Sequence, residues 1–357
     1  MSFLDRIKPN VRALETYAVR GKPLDSGLIK LNQNENPFDV PAELKRELAD
    51  ELVRRPWNRY PGVFPDELID ALARRVGHPR EGIIAGNGSN ELMYTILMAV
   101  VTRGTKVLIP VPSFFLYEKA VHVFDGEVVA VPMNKDLSFP AAEIIRRAKE
   151  EHPSLIILVS PNSPTGQSIG LNDVAAILAE TDSLVLVDEA YIEFSEKPSA
   201  QRLLASNDRL MVLRTFSKAF SMAGLRIGYL LAAPELCGEL LKPKIPFTVN
   251  AFSASVAMKL MERRGVVEER IAYIKKQRDG LLASLRSTAG VETLASDTNF
   301  LIFKTPHPAR AIFDRLLERN VLIRDVSSYP MLERTLRVNA GTEDENKKFL
   351  YALHEVL

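Results

Sequence analysis

Six short apolar runs recur through the middle of the chain: Lys106 to Pro110, Val128 to Val131, Leu155 to Val159, Leu184 to Val187, Leu210 to Leu213 and Ile227 to Leu231. Several are almost unbroken Val, Ile and Leu, the composition of strands covered on both faces. Stretches with helical spacing separate them. This succession predicts an α/β fold, a mostly parallel central sheet sandwiched by helices. It also restricts where a ligand can bind. With both faces of the sheet occupied, the open position lies beyond the carboxyl ends of the strands.

The polar clusters fall at those ends. Ser160-Pro-Asn-Ser-Pro-Thr-Gly166 follows one run and Asp188-Glu-Ala-Tyr191 another, while the run from Leu210 to Thr215 delivers Ser217 and Lys218. Lys218 stands among small residues and hydroxyls, with Arg226 eight positions on. That grouping suits an aldehyde cofactor carrying a phosphate: Lys218 forms the Schiff base, and Thr215, Ser217 and Arg226 bind the phosphate. Such a cofactor withdraws electrons only while its ring nitrogen is protonated, which a buried carboxylate favours; Asp188 is the candidate. Tyr191 can donate to the ring hydroxylate. Upstream, Gly82-Ile-Ile-Ala-Gly-Asn-Gly-Ser-Asn-Glu91 runs from a strand through glycines into a helix opening at Ser89 and Asn90, where backbone N–H groups suit an anion. Taken singly, each cluster has a plainer reading: Ser89 or Asn90 as a helix cap, Asp188 capping a turn, Tyr191 as a half-buried aromatic. Several converging on one cleft favour the cofactor.

Flanking segments complete the organisation. Residues 1–40, rich in Pro, Asn and Gly, read as an arm across the surface that joins a smaller domain. Residues 41–250 form the large cofactor-binding domain, with amphipathic helices from Pro41 to Arg55 and from Asp66 to Val76. After Lys242-Pro-Lys-Ile-Pro-Phe-Thr-Val-Asn250, residues 251–357 supply a long helix, Ser253 to Ser287, and a small α/β domain. Its strands are expected around Phe300 to Phe303, Val321 to Arg324 and Leu336 to Val338, and its helices over Ala309 to Glu318 and Asn346 to Val356. Charge argues against several functions. Lys and Arg total 46 against 45 Asp and Glu, so there is no field to attract nucleic acid or an anionic membrane. Five scattered histidines and the single Cys237 give little support to a metal site and exclude an intramolecular disulfide. The charge-interrupted amino terminus is no secretory signal, so the expected compartment is the cytoplasm.

Seven blocks in order carry a resemblance across nearly the whole chain: Asn34-Glu-Asn-Pro-Phe38, Arg59-Tyr-Pro61, Gly86-Asn-Gly-Ser-Asn-Glu91, Pro161-Asn-Ser-Pro-Thr-Gly166, Asp188-Glu-Ala-Tyr-Ile-Glu-Phe194, Arg214 to Tyr229, and Leu336-Arg-Val-Asn-Ala-Gly-Thr342. The chain resembles the fold type I pyridoxal-phosphate enzymes and, within them, the histidinol-phosphate aminotransferase family. The resemblance implies pyridoxal 5'-phosphate bound by Lys218, Asp188, Tyr191, Ser89, Asn90, Thr215, Ser217 and Arg226. It adds Phe114 stacked on the ring, and Tyr60 reaching the phosphate from the second subunit of a homodimer. For the substrate it implies Tyr17, Asn34, Arg324 and Arg337. The implied reaction exchanges an amino group between L-histidinol phosphate and 2-oxoglutarate in histidine biosynthesis. An aromatic or broad-specificity aminotransferase, or a threonine-phosphate decarboxylase, is the alternative on the same fold. Two positions depart from the family pattern. Ser163 replaces a second asparagine after Asn162, leaving either residue as the ring-hydroxyl contact, and Phe114 stands where tyrosine is common.

Overall fold

The computed structural model describes residues 2–16 and 27–357. Its strands are β1 (Ile29–Lys30), β2 (Ile83–Gly86), β3 (Lys106–Val111), β4 (Glu127–Pro132), β5 (Leu155–Val159), β6 (Leu184–Asp188), β7 (Leu210–Thr215), β8 (Gly228–Leu231), β9 (Glu292–Thr293), β10 (Phe300–Lys304), β11 (Val321–Leu322), β12 (Arg324–Asp325) and β13 (Thr335–Asn339). Seven of them form the central sheet, ordered β2-β8-β7-β6-β5-β3-β4. Within it β7, β6, β5, β3 and β4 pair in parallel, while β8 pairs antiparallel with both β7 and β2.

The unbroken apolar runs are explained by two cores. Along β5, Ile156 and Leu158 enter one core, and Leu155, Ile157 and Val159 enter the other. β6 and β7 divide likewise: Val185, Val187, Leu210 and Val212 on one side, Leu186, Met211 and Leu213 on the other. Helices Ala42–Arg54 and Asp66–Val76 cover the first side with Leu44, Leu48, Leu68 and Leu72. Helices Ser89–Val100 and Leu116–Val123 cover the second with Leu92, Ile96, Tyr117 and Val121. Burying each such side chain contributes roughly 1.5–3 kcal/mol. A polar residue inside these strands would cost more than it returned, so polarity begins where the strands end.

The register aligns those ends. Val159 pairs with Asp188, Asp188 with Leu213, Thr215 with Gly228, and Gly228 with Gly86. A second, antiparallel sheet, β12-β13-β10-β9, packs with helices Ala309–Glu318 and Glu343–Val356 around Leu301, Phe303, Ile312, Phe313, Val338, Phe349 and Leu353. Among the described residues no helix is long and apolar enough to cross a membrane.

Three expectations need correction. The segment after Gly27 does not lie across the surface: Leu31, Asn32 and Asn34 are buried. β1 pairs in parallel with β11, Asn339 N–H donates to the Leu31 carbonyl, and Asn299 Nδ2 donates to that of Asn34. These bonds let an asparagine-rich stretch be buried. The helix expected over Ser253 to Ser287 is two helices, Ala251–Glu262 and Arg264–Ser287, broken at Arg263 where φ is −90° and ψ 49°. Gly265, a weak helix former, follows the break. The strand expected from Val321 to Arg324 divides at Ile323, its first half joining β1 and its second half β13.

A buried ion pair ties the end of β6 to β7. Glu189, only 2% exposed, accepts from Arg214 Nε and Nη2 at 3.0 and 2.9 Å, from Ser199 Oγ at 2.7 Å and from the Ala200 N–H at 2.7 Å. Removing one partner strands the other's charge in the core. Arg214→Met is therefore expected to lose about 3–5 kcal/mol of stability in urea unfolding, and Glu189→Gln/Arg214→Met to lose less than that. Equal losses in the two variants would contradict the ion-pair account.

Candidate active site

The aligned strand ends open onto a cleft of about 380 Å³ between the two sheets. Asn32, Asn34, Asn90, Phe114, Ser163, Tyr191, Ser217, Lys218, Arg226, Arg324 and Arg337 are among its lining residues. Most positions singled out in the sequence thus meet at one place. Two do not. Tyr60 is 85% exposed, packed on Phe247 with ring centroids 5.0 Å apart, and does not line this cleft. Tyr17 lies outside the described residues.

At the far end, four pieces of chain converge. The helix starting at Ser89 has Gly88 as its N-cap, and no side chain caps it, so neither Ser89 nor Asn90 plays that part. Gly88 has φ +79°, and a β-carbon there would stand 2.5 Å from Arg226 Nη2. A β-carbon on Gly228 would stand 2.4 Å from the Ser89 nitrogen. Both glycines are required for the turn to fit beneath the guanidinium. Arg226 Nη1 donates to Ser217 Oγ at 3.1 Å, and Thr215 Oγ1 donates to the same hydroxyl at 3.0 Å. A helix N-terminus, two hydroxyls and an arginine make a seat for a phosphate.

In the middle of the cleft, Lys218 Nζ donates to the Gln33 carbonyl at 2.8 Å and lies 5.8 Å from the centre of the Tyr191 ring. Tyr191 is buried, edge-on to Phe300 at 5.3 Å, and its hydroxyl accepts from Asn34 Nδ2 at 2.8 Å. Because that hydroxyl accepts a hydrogen bond from Asn34, its own proton is left to donate elsewhere.

Asp188 terminates β6 and is buried. Its Oδ1 accepts from the Ala190 N–H at 3.0 Å and its Oδ2 from the Tyr117 hydroxyl at 2.7 Å. Burial pushes the carboxyl up to about 6, against the lowering effect of both hydrogen bonds. A cationic ring nitrogen nearby would restore the carboxylate. Burial also raises the Tyr117 phenol well above its ordinary range, so it stays a donor. Sequence reasoning missed Tyr117.

Asn162 Oδ1 accepts from the Thr165 N–H at 3.1 Å and from Thr165 Oγ1 at 2.9 Å, shaping its loop, while its buried Nδ2 has no hydrogen-bond partner. Ser163 Oγ accepts from Arg337 Nη1 at 3.1 Å, and Arg337 Nη2 donates to the Asn32 carbonyl at 3.0 Å. Arg324 and Arg337 are direct partners across the β12–β13 ladder. Like charges in that relation repel unless an anion lies between them. The residues present therefore fit a flat aldehyde with a phosphate at one end and a carboxylate under its ring, beside a second anion seat at the two arginines.

Known proteins agree with this architecture. Residues 26–353 match the family described as aminotransferase class I and II. A histidinol-phosphate aminotransferase of Chlorobium phaeovibrioides is 45% identical over 97% of this chain and 96% of its own length. Among solved structures, a histidinol-phosphate aminotransferase from Sinorhizobium meliloti in complex with pyridoxal-5'-phosphate superposes with a TM-score of 0.88, at 24% identity, over 98% of this chain and 97% of that one. An L-threonine-O-3-phosphate decarboxylase from Porphyromonas gingivalis does so with a TM-score of 0.81, at 24% identity, over 91% of this chain and 98% of that one. The strand order, the cleft and these matches lead to one statement: the chain belongs to the aminotransferase class I and II family.

Proposed function

We propose that the chain is a pyridoxal 5'-phosphate enzyme that interconverts L-histidinol phosphate and 2-oxoglutarate with imidazole acetol phosphate and L-glutamate. The observation that carries the substrate assignment is the opposed pair Arg324 and Arg337, lining the same cleft as Lys218. Two guanidinium groups facing one space suit a phosphate monoester, whose oxygens each can grip in bidentate fashion. The same seat takes the carboxylate of glutamate in the other half of the cycle. Relatives at 45% identity that carry the histidinol-phosphate aminotransferase name support this reading.

When bound, the cofactor supplies an electron sink for the substrate's α-carbon. The chain does the rest. Ser89, Asn90, Thr215, Ser217 and Arg226 hold its phosphate, and Phe114 lies against its ring. Asp188, steadied by Tyr117, holds the ring nitrogen's proton. Tyr191 donates to the ring oxygen while Asn34 occupies its lone pair. Two groups are available as the second donor to that oxygen: the Ser163 hydroxyl, whose Oγ accepts from Arg337 and keeps its own proton, and the buried Asn162 Nδ2, whose oxygen bonds Thr165. The buried Asn34 Oδ1, which has no hydrogen-bond partner among the described residues, is an acceptor for a substrate N–H. Lys218 would hold the cofactor through its aldehyde carbon and, once displaced there by the substrate amine, its freed amine would move the proton at the substrate carbon.

The working unit is a homodimer in the cytoplasm. Trp57, Tyr60, Ile245 and Phe247 leave an apolar patch exposed that a second copy would cover, and from it Tyr60 reaches the partner's cofactor phosphate.

Steady-state kinetics test the substrate. Arg324→Ala is expected to raise KM for L-histidinol phosphate by about 10–100-fold. A wild-type enzyme that prefers phenylalanine or threonine phosphate would overturn the assignment.

Asp188 gives a pH signature in the apoprotein. Its folded pKa of about 6 lies above the ordinary 3.8, so the folded state binds more protons between those values. The contribution of Asp188 to apoprotein stability is expected to fall by up to about 3 kcal/mol as pH rises from 4 to 7. Asp188→Asn should flatten that slope, and adding cofactor at pH 7.5 should stabilise it less than wild type. Unchanged slopes in urea unfolding would contradict the assignment of Asp188.

A further inference from the structure

One buried ion pair stands beside the phosphate seat. Glu91 sits in the first turn of helix Ser89–Val100. Its Oε2 accepts from the Asn87 N–H at 2.5 Å, closing the turn through Gly88, and its Oε1 lies 3.0 Å from Lys244 Nζ. The side chain of Lys244 is 6% exposed and that of Glu91 15%. Lys244 also donates to Thr248 Oγ1 at 2.7 Å and to the Ile245 carbonyl at 3.3 Å. Its hydrogen bonds therefore serve its own loop, while its charge faces Glu91.

A carboxylate in the first turn shares a helix N-terminus with whatever anion binds there. Alone, Glu91 would repel a phosphate at short range in a poorly screened site. Replacing it by an apolar residue would release the Asn87 N–H. The lysine resolves that conflict by cancelling the charge while leaving the hydrogen bond in place.

We propose that Lys244 is a positioning residue for the cofactor phosphate, acting through Glu91, and that it couples the phosphate seat to the surface bearing Tyr60. The loop it anchors carries Phe247, whose ring lies 5.0 Å from that of Tyr60 at an interplanar angle of 35°. This second half rests on the dimer reading of Tyr60. Cofactor binding and subunit association are then linked through one side chain.

Affinities of the apoprotein for pyridoxal phosphate and for pyridoxal test the first half, because both bond Lys218 and only one carries the phosphate. Lys244→Met is expected to weaken pyridoxal phosphate about tenfold while pyridoxal stays within about twofold, and Lys244→Met/Glu91→Gln should regain most of the loss. Glu91→Gln alone, which leaves an uncompensated ammonium near the phosphate, should bind pyridoxal phosphate at least as tightly as wild type. It keeps the test decisive should Lys244→Met fail to fold. Equal losses for the two ligands, or a clear loss in Glu91→Gln, would overturn the proposal.

Sedimentation tests the second half. Cofactor should tighten the wild-type dimer, and Lys244→Met should diminish that tightening; an undiminished effect would overturn the coupling. A wild-type monomer with and without cofactor would remove the Tyr60 reading and the coupling with it, while the two-ligand comparison still decides the role of Lys244 at the phosphate.

Discussion

Burial of the central sheet on both faces is the constraint from which the site follows. Leu155 to Val159 send alternate side chains into two separate cores, as do the residues of β6 and β7. No strand interior can then carry a polar group without a large desolvation cost. Function is pushed to the carboxyl ends, and the register brings Asp188, Thr215, Gly228 and Gly86 to one edge. The small antiparallel sheet closes the other side of the cleft with Arg324 and Arg337.

Around that edge the charges are held by dedicated partners, each a different answer to the same low dielectric. Glu189 is matched by Arg214 and saturated with hydrogen bonds, so it fixes the loop. Asp188 has two hydrogen bonds but no cation, and its carboxyl rises to about 6. Arg324 and Arg337 are opposed across the β12–β13 ladder and line the same cleft. Structural pairs and ligand-directed charges are thus distinguishable by whether the protein itself supplies the counter-charge.

Much of this was legible in the sequence because strand interiors are apolar and strand ends are not. Asp188, Lys218 and Arg226 stand out against neutral surroundings within a few residues of an apolar run. Features made by contacts distant in sequence were not legible. The Tyr117 hydroxyl meets Asp188 across 71 positions and Asn34 meets Tyr191 across 157, with nothing local to announce either. The arm reads as superficial because its composition is polar; the groups that allow Asn34 to be buried, Asn299 Nδ2 donating to its carbonyl and Asn339 Oδ1 accepting from its N–H, lie far away in the chain. Hydrophobic spacing carried on through the break at Arg263, since both helices present an apolar face to the same core.

The claim that joins these observations is that Lys218 and Asp188 serve a bound cofactor while the two arginines select a phosphate-bearing amine. A single half-reaction tests it most directly: L-histidinol phosphate is added to the cofactor-loaded protein with no oxo acid present, and the visible absorbance band of the cofactor bound at Lys218 is followed. The account predicts loss of the band with pyridoxamine phosphate as product, and its return on adding 2-oxoglutarate. A band that L-histidinol phosphate leaves unmoved would contradict the substrate assignment, and a protein that forms no band when supplied with pyridoxal phosphate would contradict the account as a whole.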